Sequence, residues 1–580
     1  MAGSSLFNLH LISDFNIETL GRCLEADTTY PSVSVSRAPF GQVFPALFAP
    51  PTNGEQCDSC FVWTSPDVVL PSFKKALAFE PFDLETLHEE VMHFVASVKK
   101  CHTRFTLTMV ASWDLPPFHR GLGLQDLKSK SGIRRLLLQV NLWLASLLEG
   151  AKGIYLLDAH NWSAAVGKSA WSPKLWYLSK TPYISDVFNE AVRDIKAAIR
   201  TFHSIPRKLV VLDLDDTLWG GVVGDVGWQN ILLGGHDHRG EAFVDFQRSL
   251  KSLSNRGIVL AIVSKNQSEI ALQVLRNHPE MVLREQDFAG FRINWNDKAA
   301  NIAELSEELR LGLQSIVFID DNPAERARVR EALPEVLVPD WPADVSLYSK
   351  SLLQLDCFDG LDLTDEDLGR SRTYVLERER QQTKVQFESL DQWLHSLNTE
   401  VLVEEWCDAN RARIAQLLNK TNQFNLRTRR LSDSELADWL QVPGRKLWAF
   451  RVRDRFGDSG ITGILSLQFA PESAQIVDFV LSCRVMGRDI ERSMLSVAVR
   501  YSQQMGQKDL VAGYRPTPKN SPCLEFFRNS GFTRDGEDLI FRWNLMNDYD
   551  SPAHIALRES RVHVSAQIVQ GLSSHGSMSS

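Results

Sequence analysis

Three short, continuous apolar runs lie between Lys208 and Pro339, and helical segments separate them. The runs, all rich in Val, Ile or Leu, are Leu209–Leu212, Val259–Val263 and Ile316–Ile319. Helical periodicity falls on Glu241–Asn255, Ser268–Asn277, Lys298–Leu309 and Ala324–Leu333. Apolar strands that alternate with helices form βαβ units, and right-handed crossovers then build a parallel sheet that is covered on both faces. The sequence therefore predicts a doubly wound α/β domain for this stretch.

The rest of the chain must form further domains, because 580 residues are too many for one core. Mixed helix and strand patterns predict a separate α/β domain before Pro206 and an α+β domain near the end. We expect a final stretch rich in Ser and His to be disordered. The predicted divisions are 1–205 (first α/β domain), 206–345 (doubly wound domain), 346–395 (helical connector), 396–548 (α+β domain) and 549–580 (disordered tail).

The composition is that of an ordinary globular protein, with 44% apolar and 23% charged residues. A net charge of −9 does not indicate a basic surface for binding nucleic acid. No basic residue precedes the apolar stretch in Met1–Asp14, so no signal peptide is expected, and polar residues interrupt the apolar run Leu136–Leu157. Eight scattered cysteines do not indicate a disulfide framework. We predict a cytoplasmic protein with neither a nucleic-acid nor a membrane partner.

Carboxylates follow two of the apolar runs. Asp213 and Asp215 come directly after Leu209–Leu212, and Asp320-Asp321 ends the third run. Ligands of open α/β sheets gather beyond the carboxyl ends of the strands, so these acids should share one crevice. Carboxylates that lie close together repel each other, and a divalent cation is the usual remedy. Oxygen donors without a nearby His or Cys favour Mg²⁺ over zinc.

A hydroxyl and an ammonium group are predicted at the same edge. Ser264 follows the second apolar run, and Lys298 opens the helix that leads to the third. A phosphoryl group in transfer spreads negative charge over its oxygens, so its catalysis depends mostly on positioning and electrostatic neutralisation. A serine, a lysine, a metal and a free carboxylate at one place suit that chemistry.

The ordered set Asp-x-Asp-x-Thr, Ser, Lys and Asp-Asp, spread over about 110 residues, resembles the haloacid dehalogenase superfamily. The resemblance implies that Asp213 attacks phosphorus to form an aspartyl-phosphate. It implies that Asp215 acts first as general acid and then as base, and lends its main-chain carbonyl to the metal. Few residues separate Asp213 from Ser264, so we expect no large cap domain, and an uncapped site can accept a large partner.

The same resemblance assigns the remaining residues. Asp213 and Asp320 are implied as ligands of Mg²⁺. Ser264 and Lys298 are implied to hold the phosphoryl oxygens, and Thr217 and Asp321 to support the site.

Longer stretches resemble the FkbH-like branch of that superfamily. They read DLDDTLWGG (213–221), IVSKN (262–266), INWNDK (293–298), FIDDNPAE (318–325) and TNQFNL (421–426), with Trp176-Tyr177 upstream. The resemblance implies an enzyme that takes the glyceryl group of 1,3-bisphosphoglycerate and removes phosphate. It implies that the glyceryl group is left as a thioester on the phosphopantetheine arm of an acyl carrier protein, for polyketide biosynthesis.

The α+β domain resembles the acetyltransferases of the GNAT type, through the turn Cys483–Asp489. In that family the turn holds a pyrophosphate at a helix start. The resemblance implies that Arg484, Gly487 and Arg488 form a turn for pantetheine, although the carboxylate of Asp489 departs from the pattern and opposes tight coenzyme A binding. Cys483 is a candidate acyl acceptor. The alternatives are a fold retained for structure alone and a cysteine that is a small buried hydrophobe.

Two further features complete the predictions. The first domain resembles a degenerate SGNH hydrolase, from Ser13-Asp14-Phe15-Asn16 and Asp158-Ala-His160, with Phe15 where that family carries its serine nucleophile.

The stretch Arg411–Arg455 carries eleven Lys or Arg against four Asp or Glu. This charge is either a docking face for an acidic carrier protein or a solvated surface balanced by acidic neighbours.

Three functions remain open from the sequence. The first is glyceryl transfer with dephosphorylation onto an acyl carrier protein. The second is hydrolysis of a small phosphorylated metabolite without acyl transfer. The third is a non-catalytic scaffold that binds a carrier protein.

Overall fold

The computed structural model describes residues 6–49, 57–115, 121–129, 132–203, 206–235, 237–361, 363, 365–384, 386–431, 433–535 and 539–559. The chain divides into two compact units, Met1–Arg207 with Gln354–Leu363, and Lys208–Leu353 with Thr364–Ser580. Within the described residues, no helix combines the length and the apolar character needed to span a bilayer.

The first unit is built around one parallel sheet. Its strands are β1 (Phe7–Ser13), β2 (Val33–Arg37), β3 (Ser59–Trp63), β4 (Leu107–Ala111) and β5 (Ile154–Leu157). Its helices are α1 (Glu18–Ala26), α2 (Val43–Phe48), α3 (Pro66–Val69), α4 (Pro71–Leu77), α5 (Leu84–His102), α6 (Ile133–Leu148), α7 (Ala159–Val166), α8 (Pro173–Ser179) and α9 (Ser185–His203). The strand order is β2-β1-β3-β4-β5.

Helices cover both faces of this first sheet. Leu11 and Trp63 belong to a core completed by α1, α7 and α9, whereas Ile12 and Val62 belong to a core completed by α2, α4, α5 and α6. Neighbouring residues of one strand thus face opposite cores, as the two-residue period of a strand requires. The unit is the α/β domain that the sequence pattern predicts.

The second unit begins with a four-stranded parallel sheet. Its strands are β6 (Leu209–Leu212), β7 (Val259–Ser264), β8 (Phe288–Ile293) and β9 (Ile316–Ile319), in the order β8-β7-β6-β9. Its helices are α10 (Val223–Val226), α11 (His238–Asn255), α12 (Ser268–Asn277), α13 (Lys298–Glu308), α14 (Pro323–Ala332) and α15 (Tyr348–Leu353). The doubly wound α/β fold predicted for this stretch is confirmed.

The sequence pattern missed one strand of this sheet. Gly290 and Arg292 interrupt the apolar residues of β8, which pairs with β7 at the edge. Where the structure describes the segment between β6 and β7, its only helices are α10 and α11. Nothing in that described segment is large enough to form a cap domain.

An eight-stranded sheet completes the second unit. Its strands are β10 (Thr399–Glu405), β11 (Arg445–Asp454), β12 (Gly457–Phe469), β13 (Ser473–Leu481), β14 (Asp509–Gly513), β15 (Thr533–Asp535), β16 (Ile540–Asn544) and β17 (Ile555–Glu559), in the order β15-β16-β14-β13-β12-β11-β10-β17. The helices are α16 (Asp365–Lys384), α17 (Leu390–Ser396), α18 (Asp408–Lys420), α19 (Asp433–Gln441), α20 (Ile490–Gln504) and α21 (Ser521–Asn529). Most strand pairs are antiparallel; β13 pairs with β14 and β10 with β17 in parallel.

The prediction of a disordered tail from residue 549 is wrong for its first part. Residues Ile555–Glu559 form β17, which pairs with the edge strand β10 from Thr399↔Ile555 onward. Backbone pairing at an open sheet edge orders a segment that carries little apolar content of its own. Residues 560–580 lie outside the described part of the chain.

The segment Phe424–Leu426 acts as an extra piece of this sheet. Parallel pairing of β13 with β14 stops at Ile476↔Ala512. Beyond that point, the amide of Leu426 donates to the carbonyl of Phe479 at 3.1 Å, and the amide of Leu481 donates to the carbonyl of Phe424 at 3.0 Å. The chain itself therefore fills the gap between the two diverging strands.

Helix α16 joins the two sheets of the second unit instead of spacing them apart. The Ser371 hydroxyl donates to the carbonyls of Ser254 and Ile258, each at 3.0 Å. Arg378 donates to the carbonyls of Glu285 and Phe288 at 3.0 and 2.7 Å. The predicted connector thus packs directly against the four-stranded sheet and is part of the second unit.

A buried ion cluster holds the other side of α16. Arg380 donates to both oxygens of Asp454 at 2.7 and 3.0 Å, and Arg488 donates to Asp454 at 3.0 Å and to Glu377 at 2.5 Å. Asp454 is fully buried, and each arginine side chain is 2% exposed. Because a buried charge is tolerated only when it is paired, these four side chains depend on one another.

Asp454→Ala leaves two buried guanidinium groups without their shared carboxylate. We expect it to lower the free energy of unfolding by about 3–5 kcal/mol. The matched control is Asp458→Ala on the same hairpin, where the partly exposed pair with Arg453 should contribute about 1 kcal/mol or less. Chemical denaturation of the full chain, followed by circular dichroism, measures both. Equal losses in the two variants would contradict a stabilising role for the cluster.

Candidate active site

The strand order of the four-stranded sheet decides where a crevice opens. The order β8-β7-β6-β9 reverses between β6 and β9, and ligands of such sheets bind at that reversal, beyond the carboxyl ends of the strands. Asp213 follows β6, and Asp320 follows β9. The amide of Asp213 donates to the carbonyl of Ile319 at 3.1 Å, which holds the two strand ends side by side.

Asp213 has one oxygen in an ion pair and one without a partner. Its Oδ2 lies 3.0 Å from the Nζ of Lys298. Its Oδ1 is buried and accepts no hydrogen bond within the described residues. A buried carboxylate oxygen without a partner is costly, so this atom is placed to bind a cation or to react.

Lys298 bridges Asp213 and Asp320. Its Nζ lies 2.6 Å from Asp320 Oδ2, and the lysine is 3% exposed. Burial alone would lower the pKa of Lys298, but the two carboxylates outweigh it and hold that pKa above its usual value. Burial, followed by the charge of Asp213, raises the pKa of Asp320 to about 6. One ammonium group is thus shared between two buried acids.

Asp321 is held by Thr217 from the opposite strand end. The Thr217 hydroxyl donates to Asp321 Oδ1 at 3.2 Å, and the amide of Asp321 donates back to Thr217 Oγ1 at 3.2 Å. Arg326 donates to the carbonyls of Asp320 and Asp321 at 2.7 and 2.6 Å. These bonds set the direction of both acids, and the sequence had given no role to Arg326.

Asp213, Asp320 and Asp321 each bring a carboxylate oxygen within 4.8 Å of the others, so they could hold one metal ion. The donors are oxygens only, and the single lysine cannot neutralise three acids. Both the unpartnered Oδ1 of Asp213 and this hard donor set fit Mg²⁺. The side chain of Asp215 is not one of the three.

Asp215 is held by residues that the sequence did not single out. Its Oδ1 accepts from the Trp219 indole at 2.8 Å and from the Val223 amide at 3.2 Å, and its Oδ2 accepts from Asn266 at 2.8 Å. Burial raises the pKa of Asp215, and the charges of Asp213 and Asp216 add to the rise. Trp219 lies within the motif DLDDTLWGG, and Asn266 lies within the motif IVSKN. The sequence signal for Asn266 was a polar residue two positions after Ser264, the last residue of β7.

Ser264 ends β7 and is 2% exposed. The amide of Asn294 donates to its carbonyl at 3.1 Å. Asn294 and Asn301 exchange side-chain hydrogen bonds at 2.9 and 3.3 Å, which fixes the loop between β8 and Lys298. Ser264 and Lys298 thus come from neighbouring, firmly held segments.

The turn before α20 differs from its predicted role. Arg488 is buried in the ion cluster with Asp454 and Glu377, because the turn directs its guanidinium inward. Its Nη2 also donates to the carbonyl of Arg484 at 2.6 Å. Gly487 has a φ of +77° and Asp489 a φ of +59°. The side chain of Cys483 lies outside the described residues.

In the first unit, the residues quoted for the SGNH resemblance lie in three different environments. Asp14 accepts from the amide of Ser65 at 3.0 Å, and burial raises the Asp14 pKa to about 6. Phe15 packs against Trp63 in the core. His160 Nδ1 lies 3.2 Å from Asp114 Oδ1. Because the position after Asp14 is a core residue, it offers no nucleophile.

One solved structure resembles a large part of this chain. No family model matches the chain. No curated protein matches it. The crystal structure of the amino-terminal part of a Bacteroides fragilis protein, which contains a phosphatase domain complexed with Mg, is 27% identical. It covers 62% of this chain and 95% of that chain, with a TM-score of 0.55.

Acetyltransferase structures match at a lower level. A GNAT-family acetyltransferase from Staphylococcus aureus is 12% identical and covers 25% of this chain and 99% of that chain, with a TM-score of 0.21. The ribosomal-protein-S18-alanine N-acetyltransferase from Escherichia coli is 10% identical and covers 25% of this chain and 94% of that chain, with a TM-score of 0.20. TM-scores this low do not indicate a shared function.

A divalent cation at the three carboxylates should stabilise the folded chain by mass action, by about 2.7 kcal/mol at a concentration of 100 Kd. We expect the melting temperature to rise with added Mg²⁺. The rise should disappear in Asp320→Asn and persist in Asp245→Asn, which removes an exposed carboxylate on α11. Thermal unfolding with and without Mg²⁺ measures the rise within each variant. An undiminished rise in Asp320→Asn would exclude Asp320 as a ligand.

Proposed function

We propose that the second unit is a magnesium-dependent phosphatase of the haloacid dehalogenase type, with Asp213 as its nucleophile. The observation that carries the proposal is the unpartnered Oδ1 of Asp213, placed beside Lys298 and within a group of three carboxylates. The 27% identical structure, whose phosphatase domain is complexed with Mg, supports both the activity and the metal.

In the first half-reaction, the carboxylate of Asp213 attacks phosphorus. The new Asp213–phosphorus bond forms as the bond to the leaving oxygen breaks, and Asp215 gives that oxygen a proton. Lys298 and Ser264 offer donors to the phosphoryl oxygens, which carry the growing negative charge. The product is an aspartyl-phosphate on Asp213.

In the second half-reaction, water attacks the aspartyl-phosphate. Asp215 takes the water's proton, and the phosphorus–Asp213 bond breaks to release inorganic phosphate. The raised pKa of Asp215 suits a group that must give and then take a proton. Mg²⁺, held by Asp213, Asp320 and Asp321, would supply positive charge where the phosphoryl oxygens gain negative charge.

For the substrate, we propose the glyceryl phosphate chemistry implied by the FkbH-like motifs. The thiol of the phosphopantetheine arm of an acyl carrier protein would attack the acyl carbon of 1,3-bisphosphoglycerate, and the C1 phosphate would leave as the thioester forms. Asp213 would remove the C3 phosphate by the two half-reactions above, so that a glyceryl thioester is left on the carrier. The absence of a cap domain among the described residues between β6 and β7 supports access by a tethered arm. That Cys483 accepts the acyl group in a covalent intermediate remains a prediction.

Three arginines of the basic stretch Arg411–Arg455 bond to groups of their own domain, and one of the three pairs with an acid. Arg429 donates to Asp478 at 2.9 Å, Arg427 to the carbonyl of Gly513 at 3.1 Å, and Arg430 to the carbonyl of Leu418 at 3.2 Å. These arginines hold the domain together. In our proposal the carrier arm therefore approaches the edge of the four-stranded sheet directly.

Asp213→Asn should lower phosphate release by at least about 10³-fold, because an amide is a poor nucleophile and loses the anionic ligand. Asp245→Asn makes the same charge change on an exposed surface and should keep native activity. Release of phosphate from a small phosphate ester with Mg²⁺ measures both. Substantial activity in purified Asp213→Asn would remove Asp213 from its proposed role.

Carrier loading separates acyl transfer from simple hydrolysis. The protein is incubated with Mg²⁺, 1,3-bisphosphoglycerate and a phosphopantetheinylated acyl carrier protein, and the intact carrier is weighed by mass spectrometry. We expect a glyceryl mass gain with the native protein and none with Asp213→Asn. Release of phosphate without a mass gain would instead favour a phosphatase for a small metabolite.

A further inference from the structure

Lys265 is a cation at the edge of the four-stranded sheet that the proposed mechanism does not use. It directly follows Ser264, the last residue of β7, and β7 lies beside β6, which Asp213 follows. Ser264 is 2% and Asn266 is 5% exposed, whereas the side chain of Lys265 is 37% exposed. Of these three consecutive residues, Lys265 is therefore the one that presents its side chain toward solvent.

The side chain of Lys265 reaches across the end of β6. Its Nζ lies 2.6 Å from Oε1 of Glu325, in the first turn of α14. Helix α14 follows β9, and β7 and β9 are the two neighbours of β6 in the sheet. The ion pair therefore links the segments that follow the two strands on either side of β6.

The chain neighbours of both partners place this ion pair at the proposed phosphatase centre. Asn266, next to Lys265, donates to Oδ2 of Asp215 at 2.8 Å. Arg326, next to Glu325, donates to the carbonyls of the two acids that follow β9, at 2.7 and 2.6 Å. Each partner of the ion pair is thus one residue away from a side chain that holds acids of the centre in place.

The pair between Lys265 and Glu325 is one that a substrate can break. A partly exposed ion pair contributes little to the stability of a fold. Glu325 also has a second reason for its position, because the helix dipole favours a carboxylate in the first turn of a helix. An anionic group of the substrate can therefore take the place of Glu325 beside the ammonium group at little cost to the fold.

The charge of the proposed centre leaves a use for a further cation. Once Mg²⁺ is bound, the metal and Lys298 together balance the charge of the three acids. The phosphoryl group in transfer brings its own negative charge, and a second anionic group on the substrate adds to it. Lys298 is only 3% exposed, so the ammonium of Lys265 is the more accessible of the two for that second group.

We infer that Lys265 binds a second anionic group of the substrate, and so makes the centre specific for phosphate esters that carry one. The inference rests on the proposed phosphatase function and gives its substrate class. For 1,3-bisphosphoglycerate with its C3 phosphate at Asp213, the second group is the C1 phosphate. Lys265 acts by binding this group and adds no chemical step.

Two three-carbon esters test the inference, because 3-phosphoglycerate carries a carboxylate where glycerol 3-phosphate carries an uncharged hydroxymethyl group. Phosphate release from the full chain with Mg²⁺ gives kcat/KM for each ester, and their ratio is the preference for the second anion. We expect the native chain to prefer 3-phosphoglycerate. Lys265→Gln should lower the preference about tenfold, mainly through KM, because it removes a charged partner of the carboxylate.

Glu325→Gln separates binding from a structural role. It removes the carboxylate that competes for Lys265, so it should raise the preference for 3-phosphoglycerate, whereas a merely structural pair would respond in the same direction to the loss of either partner. The matched control is Lys251→Gln on α11. Lys251 is 39% exposed and pairs with Asp287 at 2.5 Å, so this variant breaks a similar ion pair and should keep the native preference.

Isothermal titration calorimetry with both esters gives the same preference as a ratio of dissociation constants, without any need for turnover. If the native chain released no phosphate from either ester, the phosphatase proposal would fail, and the binding ratios would still decide the role of Lys265. Three results would overturn the inference. They are equal use and binding of the two esters by the native chain, a native preference in Lys265→Gln, and a preference that falls in Glu325→Gln or Lys251→Gln as it does in Lys265→Gln.

Discussion

One ammonium group, that of Lys298, lies between the carboxylates of Asp213 and Asp320 at the point where the strand order of the sheet reverses. The arrangement balances the charge only in part, because Asp321 adds a third acid within 4.8 Å. A buried excess of negative charge needs a cation, which the proposed Mg²⁺ would supply. Hydrogen bonds from Thr217 to Asp321 and from Arg326 to the carbonyl of Asp320 hold these two acids in place.

The second constraint is the way in which α16 connects two sheets. One side of the helix bonds to backbone carbonyls around β7 and β8, and the other side enters the ion cluster of Asp454. A chain cut after about Leu355 would therefore remove contacts from the four-stranded sheet as well as remove the third domain. A point substitution such as Asp213→Asn tests the proposed site without that damage.

The charges around the turn before α20 differ from what the sequence of that turn suggests. In the proposed mechanism, Lys298 would offer positive charge to a phosphoryl group at the sheet edge, whereas Asp489, Glu491, Glu525, Asp548 and Asp550 line a cavity at the start of α20. Read along the chain, Arg484 and Arg488 make the turn look basic and suited to phosphate. In the folded chain, Arg488 faces inward to Asp454, and Asp489 and Glu491 line the cavity instead.

The sequence by itself determined the parallel sheet and the edge that carries Asp213, Asp215, Ser264 and Asp320, because apolar strands and the residues that end them are local patterns. It could not determine the partners of those residues. Thr217 meets Asp321 from 104 positions away, and Arg488 meets Glu377 across 111. Strands β8 and β17 were missed because edge strands depend on pairing more than on their own apolar content. Only tertiary packing decided which charges are buried, since burial depends on what the rest of the chain places around each group.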